Sequence, residues 1–403
     1  MAKRLTQALG VDIGTQSIKV AGVRLGKDGP VVTGLAKGPT PDNAIDHTGI
    51  YDPTALGGAL HTLLAQAGML GLKDVIFSIA GQSSVVVRNL EVPRMSDKEL
   101  SDHMQWEIQR NIPFAESTVI SDFRPVENLA LENTQNMEVV MAVSPQSAIG
   151  TILELLKAAG CRAAAIDVEP LALGRVLRSC HPADLGMKKV CLVNYGHNTA
   201  SINMYRESVL AFPRSVPTGG AALTKAIADS SGLTSEEAEA RKTSAIITGD
   251  PGGDDGSTGT YQPYNPFTET AAETAADTDL VEPAEIAAEV EPEPVVAPII
   301  TADSGDTSLF DSFRPQIDEF VAELRRSIDY YRSRGGDIDQ IALSGGGAGL
   351  KGLGPYISSS LDTPVSVVNP LQGIGVDLPE TYSVERASEF AVAVGMGLHI
   401  AYD

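Results

Sequence analysis

Leu9-Gly-Val-Asp-Ile-Gly-Thr-Gln-Ser-Ile-Lys-Val20 opens as an apolar run, breaks at Gly14 and resumes apolar alternation from Ile18. A short run interrupted by glycine and then resumed reads as a buried strand, a tight turn and a return strand. The same design recurs about 180 residues downstream in Val190-Cys-Leu-Val-Asn-Tyr-Gly-His-Asn-Thr-Ala-Ser-Ile-Asn-Met204. A third stretch, Ile341-Ala-Leu-Ser-Gly-Gly-Gly-Ala-Gly-Leu350, has the strand and the glycines without the return. Two hairpins of one design, so far apart, point to a duplicated α/β fold that clamps one nucleotide between its halves.

The rest of the chain is compatible with that reading. Its 403 residues suffice for two or three domains with a sizeable core, and a hydrophobic fraction of 43% is ordinary for a globular protein. The net charge of −22 is unevenly spread: residues 243–313 hold 15 acids and no Lys or Arg, which leaves −7 for everything else. An acidic surface argues against nucleic acid as a partner and against a basic membrane-binding patch. Cys161, Cys180 and Cys191 lack metal or redox spacing and read as reduced thiols. No apolar run approaches the roughly 18 residues of a membrane span, and no secretory leader precedes the first strand, so a cytoplasmic protein is expected.

Between the hairpins, residues 53–70 have helical apolar spacing, and Val75 to Ala80 is a short strand followed by the alternating Ser84 to Arg88. Ser96 and Glu99 form a capping box that opens a helix over 96–111. A strand at 138–143 and a helix at 145–159 complete an α+β subdomain expected over 76–160, inserted into a first lobe that begins at 1–75. Trp106, the only tryptophan, is expected in that subdomain's core. Residues 161–187 return to the first lobe as a connector, and the second lobe runs over 188–245. Residues 246–308 are rich in Pro, Gly, Thr, Ala and acids and cannot bury enough apolar surface to offset ordering entropy. They read as an acidic disordered insertion. The second lobe resumes over 309–403, with a helix from Phe313 to Arg334.

Each turn has a chemistry and a plainer alternative. After Gly14, which permits close backbone approach, the loop amides with Thr15, Gln16 and Ser17 offer donors to phosphate, and Lys19 offers a point charge. Asp12 ends a buried strand, which is costly unless it faces a cation, and hydrated Mg²⁺ is its natural partner. The alternative is a hairpin with an exposed polar tip. Asn194, Gly196, His197, Asn198 and Thr199 would embrace the same phosphates from the other half, or form a plain hairpin. Gly345, Gly346 and Gly347 would let adenine or ribose lie against bare backbone, or make a glycine-rich connection. Glu239 and Lys242 share one helix face and would fork onto ribose hydroxyls, or simply pair with each other. Asp167 and Glu169 precede a helix; either acid would hold a metal water or orient an attacking one, with Glu169 beside Asp12 as metal ligand and Asp167 alternatively a helix cap.

These residues, in this order, resemble the actin-like ATPase superfamily of sugar kinases, heat-shock chaperone ATPases and the division protein FtsA. The matching segments are 9–20, 165–177, 190–204, 234–242, 341–350 and 383–397. Within the superfamily, Val85-Val-Val-Arg88-Asn-Leu-Glu-Val-Pro93 with Ser96, Trp106-Glu107 and Asn111-Ile-Pro113-Phe114 resembles the inserted subdomain of the PilM family of type IV pilus assembly. Asp167-Val-Glu169, Glu239 with Lys242, and Arg325-Arg326-Ser-Ile-Asp329-Tyr330-Tyr331 match as well. The resemblance covers nearly the whole chain outside 246–308. It implies a duplicated actin-like (ribonuclease H-like) fold of two lobes around a nucleotide cleft, with ATP and Mg²⁺ as cofactors. It also implies a cytoplasmic scaffold, recruited to the inner membrane by the N-terminal peptide of a PilN-like protein, without inserting into the membrane itself. That peptide would lie between the first lobe and subdomain 76–160.

The second phosphate loop of that family usually starts with Asp, where this chain has Asn194. One carboxylate is thereby lost from the metal's outer shell, which bears on hydrolysis more than on binding. Two alternatives remain open at this stage. Asp-Ile-Gly-Thr-Gln-Ser also resembles sugar kinases, with Asp167 or Glu169 as the base of a small-molecule kinase. A division-type filament is the other, and self-association is left open, although no amphipathic membrane helix follows the last connector.

Overall fold

The first hairpin forms as its alternation requires. The computed structural model describes residues 5–110, 114, 118–126, 135–247, 307–379 and 381–402. In it β1 (Gln7–Ile13) pairs antiparallel with β2 (Ser17–Gly26), Asp12 opposite Lys19 and Ile13 opposite Ile18. β3 (Gly29–Pro39) extends the meander, and α1 (Pro53–Gln66), capped by the Asp52 side chain, leads to β4 (Asp74–Ile79), parallel to β1. Then come β5 (Val86–Pro93), α2 (Asp97–Arg110), β6 (Val119–Val126), β7 (Asn136–Pro145) and α3 (Gln146–Ala158). β8 (Arg162–Val168) rejoins the first sheet beside β4, and α4 (Glu169–Cys180) follows it directly.

The second half repeats the plan. β9 (Lys189–Tyr195), β10 (Ala200–Arg206) and β11 (Val209–Val216) form the meander, followed by α5 (Gly220–Ser231) and α6 (Ser235–Ser244). The long α7 (Thr307–Ser333) leads to β12 (Gln340–Ser344), parallel to β9. Next are α8 (Leu353–Leu361), β13 (Val365–Val367), β14 (Gly375–Val376), α9 (Val384–Ser388) and α10 (Ala391–Gly397). The strand orders are β14-β3-β2-β1-β4-β8 and β11-β10-β9-β12-β13. Apart from the edge strand β14, both are a three-strand meander continued by two parallel strands. A third sheet, β5-β7-β6, carries α2 across one face.

Each layer has its own core. Leu9, Val11, Leu56, Leu60 and Phe77 fill the first lobe, and Val193, Tyr195, Phe313, Phe320 and Leu343 fill the second. Between them α4 and α10 cross, and Leu173, Val176, Val392 and Val394 share a core with Val23 and Leu192. This crossing requires Gly395 of α10, because a Cβ there would lie 2.3 Å from the Ala172 carbonyl oxygen of α4.

Several expectations need correcting. The 96–111 helix forms as α2 with its capping box, Glu99 accepting from the Ser96 amide at 2.9 Å. Trp106, expected in the core, is instead 53% exposed, because α2 turns Leu100, Met104 and Ile108 inward and leaves position 106 outside that stripe. Most of 246–308 lies outside the described residues, but its edges are structured. Ile247 is buried and donates its amide to the Lys351 carbonyl at 2.8 Å, and α7 starts at Thr307 rather than Phe313. Phe310 and Phe313 pack edge to face with ring centroids 5.4 Å apart, so the apolar stripe begins earlier than composition indicated. Cys161, Cys180 and Cys191 are all free thiols. Among the described residues, no helix is long and apolar enough to cross a membrane.

Candidate nucleotide cleft

The two hairpin tips face one cleft and share a backbone. Gly14 donates its amide to the Ser17 carbonyl at 3.0 Å, and Gly196 donates to the Thr199 carbonyl at 3.0 Å. The second tip is buttressed from α5, where Gly220 and Ala221 donate their amides to the Gly196 and His197 carbonyls at 3.0 and 2.8 Å. β12 lies parallel to β9 with Ser344 beside Asn194, so the third turn starts next to the second hairpin. Gly345 has φ +80°, and a Cβ on Gly347 would fall 2.1 Å from the Tyr195 ring. Gly346 has open space on that side. Together these three turns line a cleft of about 640 Å³.

All but one of the expected site residues line this cleft. From the first hairpin these are Asp12, Gly14, Thr15, Gln16, Ser17 and Lys19; from the second, Asn194, Gly196, His197, Asn198 and Thr199. Glu169, Glu239, Lys242, Gly345, Gly346 and Gly347 complete the set. Asp167 is absent from it. Its carboxylate accepts from Arg175 and from His399 Nδ1 (3.0 Å) and Val168 N (2.7 Å). Burial alone would raise its pKa, but His399 and Arg175 outweigh that and hold it at about 2. Asp167 therefore ties β8 to the C-terminal turn, and it does not cap α4. The N-cap of α4 is Val168, without a side-chain bond.

Glu169 and Asp12 behave differently from Asp167. Burial pushes Glu169 up to about 6, opposed by hydrogen bonds from Ser201 and Asn194, while the negative charge of Asp12 adds to the rise. Burial also raises Asp12, against the pull of Lys19, whose Nζ lies 3.7 Å from Oδ2. Two desolvated acids facing one ammonium leave surplus negative charge at that point of the cleft. Among the described residues no group of three or more His, Cys, Asp or Glu gathers into a metal cage. A cation here would thus be held by one or two carboxylates and by ligand or water oxygens, the arrangement that suits Mg²⁺ rather than Ca²⁺. The donor set fits a magnesium nucleotide.

Lys242 takes the plainer of its two expected roles and pairs with Glu239. It is 6% exposed, and its three N–H bonds go to the Gly220 carbonyl (3.1 Å), Thr224 Oγ1 (3.0 Å) and Glu239 Oε2 (2.6 Å). An ammonium has three donors and these are used, so Lys242 fastens α6 to α5 and orients Glu239. Burial would raise Glu239, but Lys242, Thr224 and Gln16 together bring it below the ordinary range, so it stays an acceptor. Burial and the neighbouring Lys242 both lower the pKa of His197. Sequence reading missed Ser201 and Asn203. Ser201 donates to Glu169, and Asn203 Nδ2 donates to Ser201 Oγ at 3.1 Å, leaving its buried Oδ1 without a partner. The signal was there: Thr199, Ser201 and Asn203 are polar at every second position of the return strand and so share a face.

Two copies of one sheet plan, hinged by crossing helices and closing on a cleft of glycine turns, define an actin-like ATPase fold. The pattern described as type IV pilus assembly protein PilM matches residues 10–252 and 301–400, and the chain belongs to that family. Among solved structures, the chain is similar to one from the PilM–PilN type IV pilus biogenesis complex, at 25% identity over 99% of each chain and a TM-score of 0.74. It shares its fold with the ethanolamine utilization protein EutJ from Carboxydothermus hydrogenoformans, at 15% identity, 98% and 91% coverage and a TM-score of 0.52. A diol dehydratase-reactivating factor in its nucleotide-free form has the same fold, at 10% identity, 99% and 100% coverage and a TM-score of 0.51.

Proposed function

We infer that this member of the pilus assembly family is a cytoplasmic scaffold that binds Mg-ATP in the cleft and a PilN-like N-terminal peptide beside it. The supporting observation is the convergence of three glycine turns from both lobes on one cleft with two raised acids. In this reading the amides and hydroxyls of the two tips grip phosphate, with Lys19 as a point charge. Asp12 and Glu169 hold the hydrated cation, Gly345 to Gly347 back the adenosine, and Glu239 accepts from the ribose. Bound Mg-ATP would supply phosphate oxygens and a divalent charge that engage donors of both lobes at once. The chain's own part is to preorganise those donors and to exclude water, and closure of the lobes then favours one conformation over another.

The peptide groove in this reading starts where the same cleft runs past Ile45, Gln82 and Val85 to Val87, at the foot of β5. Recruitment to the inner membrane then passes through the partner, with no span of the chain's own. The test is isothermal titration of the full-length protein with a synthetic PilN N-terminal peptide, with and without Mg-ATP. Saturable peptide binding is expected, together with nucleotide binding that falls at least about tenfold in Asp12→Ala, the effect of removing a buried charged partner. Absence of peptide binding in both conditions would remove the scaffold reading. Nucleotide affinity indifferent to position 12 would remove the metal assignment.

A further inference from the structure

The three-stranded sheet is covalently part of one lobe and non-covalently fastened to the other. β5, β6 and β7 lie in sequence between β4 and β8, which are neighbours in the first lobe's sheet. β7 uses its two faces differently, as period-two alternation allows. Val139, Met141 and Val143 face α2, whereas Val140 joins the core that includes Leu192, Tyr205 and Leu210 of the second lobe. Glu138, two positions from Val140, turns the same way. Its two carboxylate oxygens accept from Arg206 Nη2 at 2.6 and 2.5 Å, with side chains only 17% and 25% exposed. Asn89 of β5, the register partner of Val140, donates Nδ2 to the Leu210 carbonyl at 2.8 Å. Arg206 ends β10 and Leu210 lies in β11, so both partners belong to the second lobe's meander.

We propose that Glu138–Arg206 and Asn89–Leu210 form a strap through which closure of the lobes on nucleotide turns the three-stranded sheet and changes the groove at the foot of β5. The proposal rests on the nucleotide and peptide reading above and assigns its means of regulation. When the lobes rotate, the sheet cannot stay at rest against both. Breaking the strap would leave a half-buried carboxylate and guanidinium unpaired, which is strongly unfavourable, so the sheet follows the second lobe. Val85 to Val87, which line the groove, lie within four residues of Asn89 in the same chain segment, so motion of β5 reaches them directly. Linkage makes the effect reciprocal: a peptide that fixes the groove changes nucleotide affinity by the same factor.

The test uses the full-length protein and two variants, Glu138→Gln with Asn89→Ala, and the charge reversal Glu138→Arg with Arg206→Glu. The peptide is titrated with and without Mg-ATP, and amide exchange over β5 and β7 is followed with and without Mg-ATP. In the wild type the coupling factor is expected within the usual range of about 5- to 150-fold. In Glu138→Gln/Asn89→Ala it is expected to collapse to about two-fold or less while each ligand still binds alone, and the charge reversal is expected to restore it. A strap-deficient variant with the wild-type factor would overturn the proposal, as would a wild type that binds both ligands without coupling. Amide exchange decides independently of the peptide. Protection of β5 and β7 that does not respond to Mg-ATP in the wild type also overturns the strap. Failure of the peptide alone to bind counts against the scaffold reading and leaves the strap standing on the exchange result; failure of Mg-ATP to bind removes both.

Discussion

The two hairpin tips share a backbone and differ in charge. Ile13 faces Ile18 and Tyr195 faces Ala200 across equivalent four-residue turns, each closed by a glycine amide at 3.0 Å. One step back the pairs are Asp12 with Lys19 in the first lobe and Asn194 with Ser201 in the second. The repeated backbone supplies phosphate-type donors from both sides, whereas charge for a cation comes from one side only. Glu169, at the start of α4, bridges the two designs: it is raised by Asp12 and hydrogen-bonded by Ser201 and Asn194. Donor geometry is thus duplicated and metal chemistry is not. Support differs as well: the turn after β12 packs Gly347 against Tyr195 at the base of the second tip, whereas the turn after β4 sets Gly81 (φ +111°) against the Thr48 carbonyl.

The largest test of this difference is Gly347→Val. A Cβ at 2.1 Å from Tyr195 meets a ring that is itself packed edge to face on Phe320, with centroids 4.7 Å apart, so neither side can yield cheaply. Overpacking of this kind costs about 3 kcal/mol or more. The substitution is expected to lower the denaturation midpoint sharply and to abolish nucleotide binding. A variant that unfolds like the wild type would show that the third turn does not rest on the second hairpin.

How much of this was legible beforehand follows from where each signal is stored. The hairpin tips were readable because glycine and alternation are local, and the capping box of Ser96 and Glu99 was readable because its partners lie three residues apart. β3, β6 and β11 were missed. The pattern of β3 is diluted by Gly34 and Gly38 and most of its side chains are only half-buried, while β6 is largely exposed. Asp167 and Lys242 carry charges that the sequence shows as ligand candidates, without showing every group that satisfies them. Near partners, Arg175 for Asp167 and Glu239 for Lys242, lie 8 and 3 residues away, but His399 and the Gly220 carbonyl, which complete the sets, lie 232 and 22 residues away. Trp106 was misplaced because hydrophobicity says that a residue can be buried, and only the phase of α2 decides whether it is.

A second test uses pH. The unperturbed carboxyl of Glu169 titrates at 4.5 and the folded one at about 6. At this site the folded protein therefore holds more protons than the unfolded chain between those values, and the Glu169 contribution to stability falls as pH rises through that window. The loss is of order 2 kcal/mol at most, complete above about pH 6. Burial lowers His181 and His197, which contribute with the opposite sign nearby, so denaturant midpoints of the ligand-free protein are expected to fall more steeply, or rise less, across this interval in the wild type than in Glu169→Gln. Glu169→Gln is expected to remove that component of the slope, and Mg-ATP to offset it at neutral pH. A profile identical in Glu169→Gln would mean that Glu169 is not the desolvated acid of this cleft.

The smallest expected effect comes from giving the second hairpin the acid it lacks. Asn194→Asp replaces the amide that donates to Glu169 with a second acceptor, beside Ser344 Oγ at 3.4 Å from Asn194 Oδ1. Like charges within hydrogen-bonding reach of each other push one carboxyl toward protonation. Ligand-free stability at neutral pH is expected to drop by about 1 kcal/mol, the typical size of one exchanged hydrogen bond. The extra carboxylate also adds to the outer shell of a cation held by Asp12 and Glu169, so nucleotide binding should become a few-fold more dependent on Mg²⁺, below the roughly 10- to 100-fold that fully engaged outer-shell partners are worth. Magnesium titration at fixed ATP, compared between wild type and variant, reads this directly. If magnesium dependence and stability are both unchanged, residue 194 stands outside the metal's surroundings and the asymmetry of the two hairpins has no bearing on the cation.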